Sequence, residues 1–221
     1  MNIEAFTGRA EAYVKARPGY PSEAIEYIRK LVPPDAVFAD IGAGTGKFTE
    51  LLARYGYKIF AVEPNADMRE QLTITLSQFS NTEIFDGTAE ATKLPDKSVD
   101  VITCAQVLNR VDIEAFRAEC QRIGKSNPIV ITLFNYTHGV GNYKKSTGAF
   151  YDNPVVREFP NPVFFTRDKW LLYFSSMEGV PLPSDSGYEE YTAELNEIFD
   201  RDSVDGILRQ DLITKVYSER L

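Results

Sequence analysis

The stretch Asp40–Phe48, DIGAGTGKF, places three glycines within five residues. An apolar run, AVFADIG, leads into it and predicts a buried strand, while KFTELLARYG has the apolar spacing of a helix. Glycine adopts positive φ readily and lets a ligand approach the backbone closely. A strand, a bare loop and a helix in this order predict a ligand site at the carboxyl end of the strand, formed in part by Gly42, Ala43, Gly44 and Gly46.

Strands and helices continue to alternate after this loop. Strands are predicted at YKIFAVE, TEIFDG, SVDVITC and PIVITLFNY, and helices at NADMREQLTITLSQF, with Asn65 as its cap, and at DIEAFRAECQRIG. Later come a strand at VFF, helices at RDKWLLYFSS and SGYEEYTAELNEIFDRD, and an edge strand at LITKVYSER. Such alternation favours right-handed crossovers, so the predicted fold class is α/β, with a doubly wound, mostly parallel seven-stranded sheet.

Two regions fall outside this regular pattern. Before the first strand, a helix over Glu4–Lys15 ends at the segment RPGYP, and a second helix begins at Ser22, which we expect to cap it. Residues 136–162 are rich in glycine, asparagine, proline and aromatic residues without a period, which predicts a lid or binding loop. The predicted organisation is one domain, with helices in 1–34, the alternating core in 35–135 and an insertion in 136–175.

The charge balance disfavours some classes of partner. The 221 residues carry a net charge of -8, which repels nucleic acid and anionic membrane surfaces at long range. No uncharged apolar run reaches membrane-spanning length, and the N-terminus lacks the pattern of a secretory signal. Cys104 and Cys120 lie in apolar segments without metal-ligand spacing, which predicts buried free thiols, no metal site and a cytoplasmic protein. We expect a small-molecule partner and a monomer or homodimer.

Three classes of ligand use loops of this kind, and the residues distinguish them. A P-loop, G-x-x-x-x-G-K followed by serine or threonine, would need glycine at Ile41 and a hydroxyl at Phe48. A dinucleotide loop, G-x-G-x-x-G, would need its third glycine at Lys47. The carboxylate of Asp40 opposes a pyrophosphate at the helix N-terminus and favours an ammonium group instead. S-adenosylmethionine (SAM) fits, because it carries an ammonium, a sulfonium, two ribose hydroxyls and no phosphate.

With Asp40 included, DIGAGTGKFT resembles motif I of the class I SAM-dependent methyltransferases, and later stretches match that family in order. The resemblance implies that Glu63, in FAVEPNADMR, accepts hydrogen bonds from both ribose hydroxyls, for which a carboxylate has two oxygens. It places Pro64 and Met68 beside the adenine. It assigns the adenine edge to Thr88, Ala89 and Glu90 in DGTAEATKLPDKSVDVI, and the methionine side of the cofactor to Gln106 and Val107 in CAQVLNRVD.

The N-terminal segment extends this resemblance. YVKARPGYP is similar to the methyltransferase type 11 group that includes trans-aconitate methyltransferase, whose leading helix closes over the cofactor. This similarity implies lid helices in 1–34, a cofactor-binding core in 35–135 and a substrate-side insertion in 136–175. It also implies that Tyr13 and Arg17 reach the cofactor carboxylate. Asn109 and Arg110 depart from the family, because many relatives have His-Trp at these two positions. The acceptor used by those relatives therefore does not transfer to this chain.

We predict a SAM-dependent methyltransferase that acts on a small molecule, without an identified catalytic residue. A non-catalytic SAM-binding protein of the same fold is the alternative from another class. An NAD-dependent oxidoreductase is a second alternative, disfavoured by Asp40 and by the glycine spacing. His138 is either a general base or an exposed loop histidine. Seven aromatic residues form either a substrate pocket or a second small core: Tyr136, Tyr143, Phe150, Tyr151, Phe164, Phe165 and Trp170.

Overall fold

The computed structural model describes residues 3–137 and 143–221, so His138 lies outside the described residues. The strands are β1 (Val37–Ile41), β2 (Lys58–Val62), β3 (Thr82–Phe85), β4 (Val99–Ala105), β5 (Gly124–Thr137), β6 (Val155–Phe165) and β7 (Leu208–Arg220). The helices are α1 (Ala10–Ala16), α2 (Ser22–Leu31), α3 (Lys47–Ala53), α4 (Ala66–Leu76), α5 (Ile113–Ile123), α6 (Tyr143–Phe150), α7 (Arg167–Ser175) and α8 (Tyr188–Asp202), with short 3-10 helices at Ile3–Phe6 and Leu108–Arg110. Within the described residues the strands form one seven-stranded sheet in the order β3-β2-β1-β4-β5-β7-β6.

The first five strands confirm the predicted α/β alternation. β1 pairs in parallel with β2 and β4, β2 pairs with β3, and β4 pairs with β5. After β1 the chain adds β2 and β3 on one side and then returns to place β4 on the other. This reversal opens a crevice at the carboxyl ends of β1 and β4, which is where open α/β sheets bind their ligands.

Helices cover both faces of the parallel half of the sheet. On one face, α2 packs through Ile25 and Ile28 in the same cluster as Phe38 of β1. On the other face, α5 packs through Phe116 in the cluster that contains Ala39, because successive residues of a strand point to opposite faces. The two cysteines are free and fully buried in this second cluster, as predicted: Cys104 and Cys120.

The carboxyl-terminal part of the sheet differs from the prediction. Residues 136–162, expected to be irregular, contain the end of β5, the helix α6 and most of β6. β7 pairs antiparallel with both β5 and β6, so it lies inside the sheet, and β6 is the edge strand. The strand predicted at VFF is the end of β6, and Pro160 and Pro162 concealed the rest of β6 in the sequence, because proline has no N–H for the ladder. An edge strand accepts proline where the nitrogen faces away from its neighbour.

The aromatic residues of the carboxyl-terminal half divide among several environments. Phe165 and Trp170 belong to a second small core between α7, α8 and the ends of β6 and β7. The indole N–H of Trp170 donates to the carbonyl of Leu195 at 2.9 Å. Phe150 and Tyr151 are buried in the main core, and Phe164 is exposed. Tyr136 lines a cavity at the carboxyl edge of the sheet, and the side chain of Tyr143 is not among those that the structure describes. The structure thus favours the second core over an aromatic pocket.

The N-terminal helices serve different layers of the molecule. α1 packs on α7 and α4, over the carboxyl edge of the sheet, whereas α2 is part of the main core. Ser22 does not cap α2 as expected, because it is already the first helical residue and Pro21 stands at the cap position with φ −66°. Asn65 caps α4 as predicted, and its side chain accepts a hydrogen bond from the Met68 N–H at 3.0 Å.

Candidate functional site

A cavity of about 480 Å³ lies over the carboxyl ends of β1, β2, β4 and β5, at the predicted edge of the sheet. α1 and α7 contribute to its walls through Tyr13 and Tyr173. The predicted site residues that line it are Tyr13, Arg17, Asp40, Gly42, Ala43, Gly44, Glu63, Pro64, Met68, Gln106 and Val107. The structure therefore brings together, around one cavity, residues that are spread over about a hundred positions of the sequence.

Four predicted residues do not line this cavity: Gly46, Thr88, Ala89 and Glu90. Gly46 has φ 88° at the start of α3, and a Cβ there would stand 2.9 Å from Cδ1 of Leu72. Ala89 is buried, and Oε1 of Glu90 accepts a hydrogen bond from the N–H of Asp112 at 3.0 Å. Gly46 therefore has a packing role in the loop, and the adenine-edge assignment of residues 88–90 stays a prediction.

The glycine loop presents bare backbone to the cavity. Gly42, Gly44 and Gly46 have φ of 67°, 59° and 88°, which disfavour a side chain. The N–H of Gly42 donates to the carbonyl of Val62 at 2.9 Å, which fixes the loop between β1 and β2. A Cβ at Gly42 would stand 2.6 Å from Cγ2 of Val107, whereas the nearest atom to a Cβ at Gly44 is 4.0 Å away. Gly42 is thus required by packing, and Gly44 leaves open space on the ligand side.

Gly42→Ala should destabilise the free protein by about 3 kcal/mol, because backbone strain and overpacking against Val107 add together. Gly44→Ala is the matched control, since it brings the same kind of strain without a close neighbour and should cost about 1 kcal/mol. Urea unfolding of the two variants in the absence of ligand measures the difference. Equal losses of stability would contradict the packing role of Gly42.

Asp40 is a buried carboxyl group at the end of β1, only 1% exposed. Its Oδ2 accepts a hydrogen bond from the Thr49 hydroxyl at 2.6 Å, and its Oδ1 accepts one from the Thr103 hydroxyl at 2.8 Å. Burial raises the pKa of Asp40 to about 6, although the two hydroxyl donors act against this rise. Each carboxylate oxygen retains acceptor capacity. A cation in the cavity would therefore stabilise the ionised form of Asp40.

Glu63 follows β2 and holds the glycine loop. Its Oε2 accepts a hydrogen bond from the Gly44 N–H at 2.8 Å, and its Oε1 accepts one from the Asn65 N–H at 2.9 Å. Burial raises the pKa of Glu63, and the amides of Asn65 and Gly44 oppose that rise. Because each oxygen can accept more than one hydrogen bond, the carboxylate still has room for a vicinal diol. Glu63 therefore holds the glycine loop in place and can still accept hydrogen bonds from a ligand.

Hydrogen bonds from two arginines of the N-terminal segment hold the roof of the cavity in place. The Nε of Arg17 donates to the Ser176 hydroxyl at 2.8 Å, and its Nη2 donates to the Ser176 carbonyl at 3.0 Å. The guanidinium carbon lies 5.0 Å from the ring centroid of Tyr13 and 5.3 Å from that of Tyr173. Arg9 donates two more hydrogen bonds to carbonyls at and beyond the end of α7. Arg17 thus lines the cavity as a cation, and these hydrogen bonds do not pair it with a carboxylate.

Several cavity residues were not predicted as site residues. Thr45 is buried, and its Oγ1 has no hydrogen-bond partner within the described chain. Lys47 also lines the cavity, and burial lowers the pKa of its ammonium. Arg110 forms an ion pair with Glu178, and its guanidinium carbon lies 4.8 Å from the ring centroid of Phe6. Thr45 and Lys47 belong to the glycine loop, so their position in the sequence already suggests a place in the site. The sequence has no local signal for the ion pair between Arg110 and Glu178.

The chemistry of these groups fits SAM and disfavours a phosphate. Two buried carboxylates, Asp40 and Glu63, face a cavity whose loop amides are partly used within the protein. A pyrophosphate would be repelled by both groups, whereas an ammonium and a ribose diol would complete their hydrogen bonding. The unpartnered hydroxyl of Thr45 offers one more polar contact beside the loop. The seven-stranded sheet has the Rossmann-like fold of the class I methyltransferases, and the residues around the cavity fit SAM as a ligand.

Comparison with known proteins identifies the family. Residues 39–132 match the family model described as a methyltransferase domain. The chain is 32% identical over 178 residues to an uncharacterized methyltransferase-like protein of Schizosaccharomyces pombe, and this match spans 74% of the chain and 68% of that protein. The chain therefore belongs to the methyltransferase family. It is also 40% identical over 109 residues to uncharacterized methyltransferases of Mycobacterium bovis and Mycobacterium tuberculosis, and this match spans 49% of the chain and only 42% of those relatives.

A solved structure shows the same fold. The SAM-dependent methyltransferase from Geobacter sulfurreducens, in complex with S-adenosyl-L-homocysteine, matches with a TM-score of 0.58 over 99% of this chain and 97% of that chain. The identity is 14%, so this likeness concerns the fold alone. In residues 3–137 and 143–221, no helix combines the length and the apolar character needed to cross a bilayer. The same residues contain no group of three or more His, Cys, Asp or Glu arranged to hold a metal ion.

Proposed function

We propose that the protein transfers the methyl group of SAM to a small-molecule acceptor. The observation that carries the proposal is the pair of buried carboxylates, Asp40 and Glu63, at the ends of adjoining strands beside the glycine loop. SAM supplies a methyl group on a positively charged sulfur. In this assignment Asp40 attracts the ammonium, Glu63 accepts the ribose hydroxyls, and Arg17 faces the carboxylate of the methionine part. Met68 lies on the adenine side.

The acceptor is proposed to bind over β5 and beneath α7. That part of the cavity is lined by Asn135, Tyr136, Tyr173, Met177 and Leu212. Apolar surface with a few hydrogen-bonding groups suits a small molecule, and the net charge of -8 disfavours nucleic acid and anionic membrane surfaces. The protein contributes alignment of the acceptor with the methyl group and exclusion of water from the cavity. We further propose a cytoplasmic monomer or homodimer.

Within the methyltransferases, we place the chain near the type 11 group that includes trans-aconitate methyltransferase. The resemblance of residues 13–21 supports this placement, and α1 lines the cavity through Tyr13 and Arg17. Arg110 stands where many of those relatives have tryptophan, and here it pairs with Glu178 beside the cavity. Because this ion pair makes the cavity wall more polar than a tryptophan would, the acceptor of this chain is proposed to differ from theirs.

Two measurements test the proposed function. Isothermal titration of the purified protein with SAM should show saturable binding. Incubation of the protein with methyl-labelled SAM and a metabolite extract should then place the label in a small molecule. Tight SAM binding without any labelled product would favour a non-catalytic SAM-binding protein. A nicotinamide dinucleotide released from the purified protein and identified by its mass would favour the oxidoreductase instead.

A further inference from the structure

We propose that Lys47 binds an anionic oxygen group, a carboxylate or a phosphate, on the methyl acceptor, and that a different atom of the same molecule receives the methyl group. This inference rests on the proposed function and deepens it, because it names the chemical class of the acceptor. The resemblance to the methyltransferase family gives Lys47 no role. Lys47 is the first residue of α3 and lines the cavity directly after the glycine loop.

Among the described residues, Lys47 is the cation of the cavity wall that lacks a partner. The described lining contains three cations, Arg17, Lys47 and Arg110. Arg110 pairs with Glu178. Arg17 donates two hydrogen bonds to Ser176, and the proposed function assigns it to the carboxylate of the cofactor. Lys47 is therefore the cation that an additional ligand can use.

The surroundings of Lys47 leave its charge uncompensated. Within residues 3–137 and 143–221, its ammonium forms no hydrogen bond and no ion pair. Glu50, the acidic residue in the first turn of the same helix, pairs with Arg54 at 2.6 Å instead. Burial lowers the pKa of Lys47, and the positive charge of Lys169 on α7 adds to this effect. Because burial of an uncompensated ammonium costs free energy, a bound anion beside Lys47 would offset that cost.

The start of α3 lies against the acceptor half of the cavity. Phe48, which follows Lys47, meets the ring of Tyr20 edge to face, with centroids 5.3 Å apart. The carbonyl of Gly19, the residue before Tyr20, accepts a hydrogen bond from Nδ2 of Asn135 at 2.9 Å. Asn135 lines the part of the cavity over β5, where the acceptor is proposed to bind. These contacts place the beginning of α3 beside the acceptor and not beside the ribose.

Two polar side chains of the acceptor half are already engaged within the protein. Nδ2 of Asn135 donates to the carbonyl of Gly19, and its Oδ1 accepts from the hydroxyl of Thr214 at 2.6 Å. The hydroxyl of Tyr136 donates to Oε1 of Glu158 at 3.1 Å. These side chains contribute shape to the acceptor half, whereas the ammonium at the start of α3 contributes charge. The cavity therefore favours an acceptor that carries an anionic group.

The anionic group that Lys47 binds is not the group that accepts the methyl. An ion pair with an ammonium engages the oxygen lone pairs and makes them poorer nucleophiles. The attack is therefore assigned to an amine, alcohol or thiol of the same molecule. A bond forms between its nucleophilic atom and the methyl carbon as the carbon–sulfur bond breaks, the sulfur keeps the electron pair, and the proton of the attacking group passes to water. The product keeps its negative charge and contains no methyl ester.

Label transfer into a fractionated metabolite extract tests the class of acceptor. An anion-exchange resin divides the extract into an anionic fraction and a remainder, and each is incubated with the protein and methyl-labelled SAM. We expect labelled product from the anionic fraction, and we expect its label to survive mild alkali, which hydrolyses methyl esters. Loss of labelling after phosphatase treatment of that fraction identifies a phosphate, and labelling that survives the treatment identifies a carboxylate. Labelling confined to the remainder, or label released by alkali as methanol, would overturn the proposal.

Variants of Lys47 connect the class of acceptor to this side chain. Lys47→Met removes the charge and keeps most of the length, so transfer at limiting extract should slow at least about 10-fold, while the Kd for SAM changes less than about 2-fold. Lys47→Arg keeps the charge and should restore most of the rate. Lys30→Met is the matched control, because it removes an equal charge from an exposed position of α2 outside the cavity lining and should leave the rate unchanged.

The possible results distinguish this proposal from the proposed function. Wild-type transfer rates in Lys47→Met would refute the role of Lys47. Equal losses of SAM affinity and of transfer rate would assign Lys47 to the carboxylate of the cofactor and would also overturn the proposal. Normal SAM binding by the wild-type protein without label in any fraction would instead refute the proposed function, because no methyl group would then be transferred.

Discussion

Glu63→Ala is expected to weaken SAM binding by at least about 10-fold, as measured by isothermal titration. Two ribose hydroxyls lose a charged acceptor, and each such hydrogen bond contributes about 1.5–3 kcal/mol. The glycine loop also loses its tether, since Glu63 accepts hydrogen bonds from the N–H groups of Gly44 and Asn65. Glu83→Ala is the matched control, because it removes an equal charge from an exposed position on the neighbouring strand. Wild-type affinity in Glu63→Ala would refute the ribose assignment.

Glu63→Gln separates the charge from the shape of this side chain. A carboxamide has only one acceptor oxygen, so its NH2 group must face one of the two backbone N–H groups that the carboxylate now accepts. Two donors then oppose each other in a buried place, and the loop loses one tether. We expect Glu63→Gln to bind SAM nearly as poorly as Glu63→Ala and to be less stable than wild type in urea. Normal binding by Glu63→Gln would show that neither the charge nor the tether matters.

The parallel half of the fold was predictable because each element carries its own local signal. The side chain of Asn65 caps α4 by accepting a hydrogen bond from the N–H of the residue three positions later. The glycine loop has glycine at each of the three positions where φ is positive. The alternation of apolar strands and amphipathic helices then leaves few topologies, because crossovers are short and right-handed. The sequence alone therefore predicts that the carboxyl ends of β1 and β2 lie side by side, with Asp40 and Glu63 at one edge.

The remaining features depend on contacts between distant parts of the chain. The sequence RPGYP indicated the end of a helix and, by resemblance, a role for Arg17, but it did not indicate how the Gly19 carbonyl is held. The asparagines that bind this carbonyl follow 116 and 142 residues later. Most of β6, apart from the predicted strand at VFF, was hidden by Pro160 and Pro162, because the effect of proline depends on whether the strand has a neighbour on both sides. Likewise, Glu63 was expected to meet the ribose alone, and its hydrogen bonds to the loop follow only from the three-dimensional position of Gly44.

Asp40→Asn is expected to make the free protein more stable at pH 8. The pKa of Asp40 is about 6 in the folded protein, against an ordinary value of 3.8. Between these values the folded state holds a proton that the unfolded chain has released, so stability falls as the pH rises through this window. The gap corresponds to about 3 kcal/mol above pH 7. Asparagine cannot ionise, so the variant should gain up to about 3 kcal/mol at pH 8 and lose this advantage near pH 4, as urea unfolding would show.

The affinity for SAM should change in the opposite direction. Ionised Asp40 attracts the ammonium group, so the Kd of the wild-type protein should rise as the pH falls below 6, by up to about 10-fold per pH unit. Asp40→Asn should bind at least about 10-fold more weakly at pH 8 and lose most of this pH dependence.

Thr103→Val keeps the Asp40 carboxylate but removes a hydroxyl donor that lowers its pKa, so the midpoint of the pH dependence of SAM affinity should move above pH 6. A wild-type Kd that is constant from pH 5 to pH 8 would contradict the role of Asp40. A variant that is more stable yet binds less SAM would show that this buried carboxyl is kept for its ligand, because only a bound cation offsets the free energy that its ionisation costs.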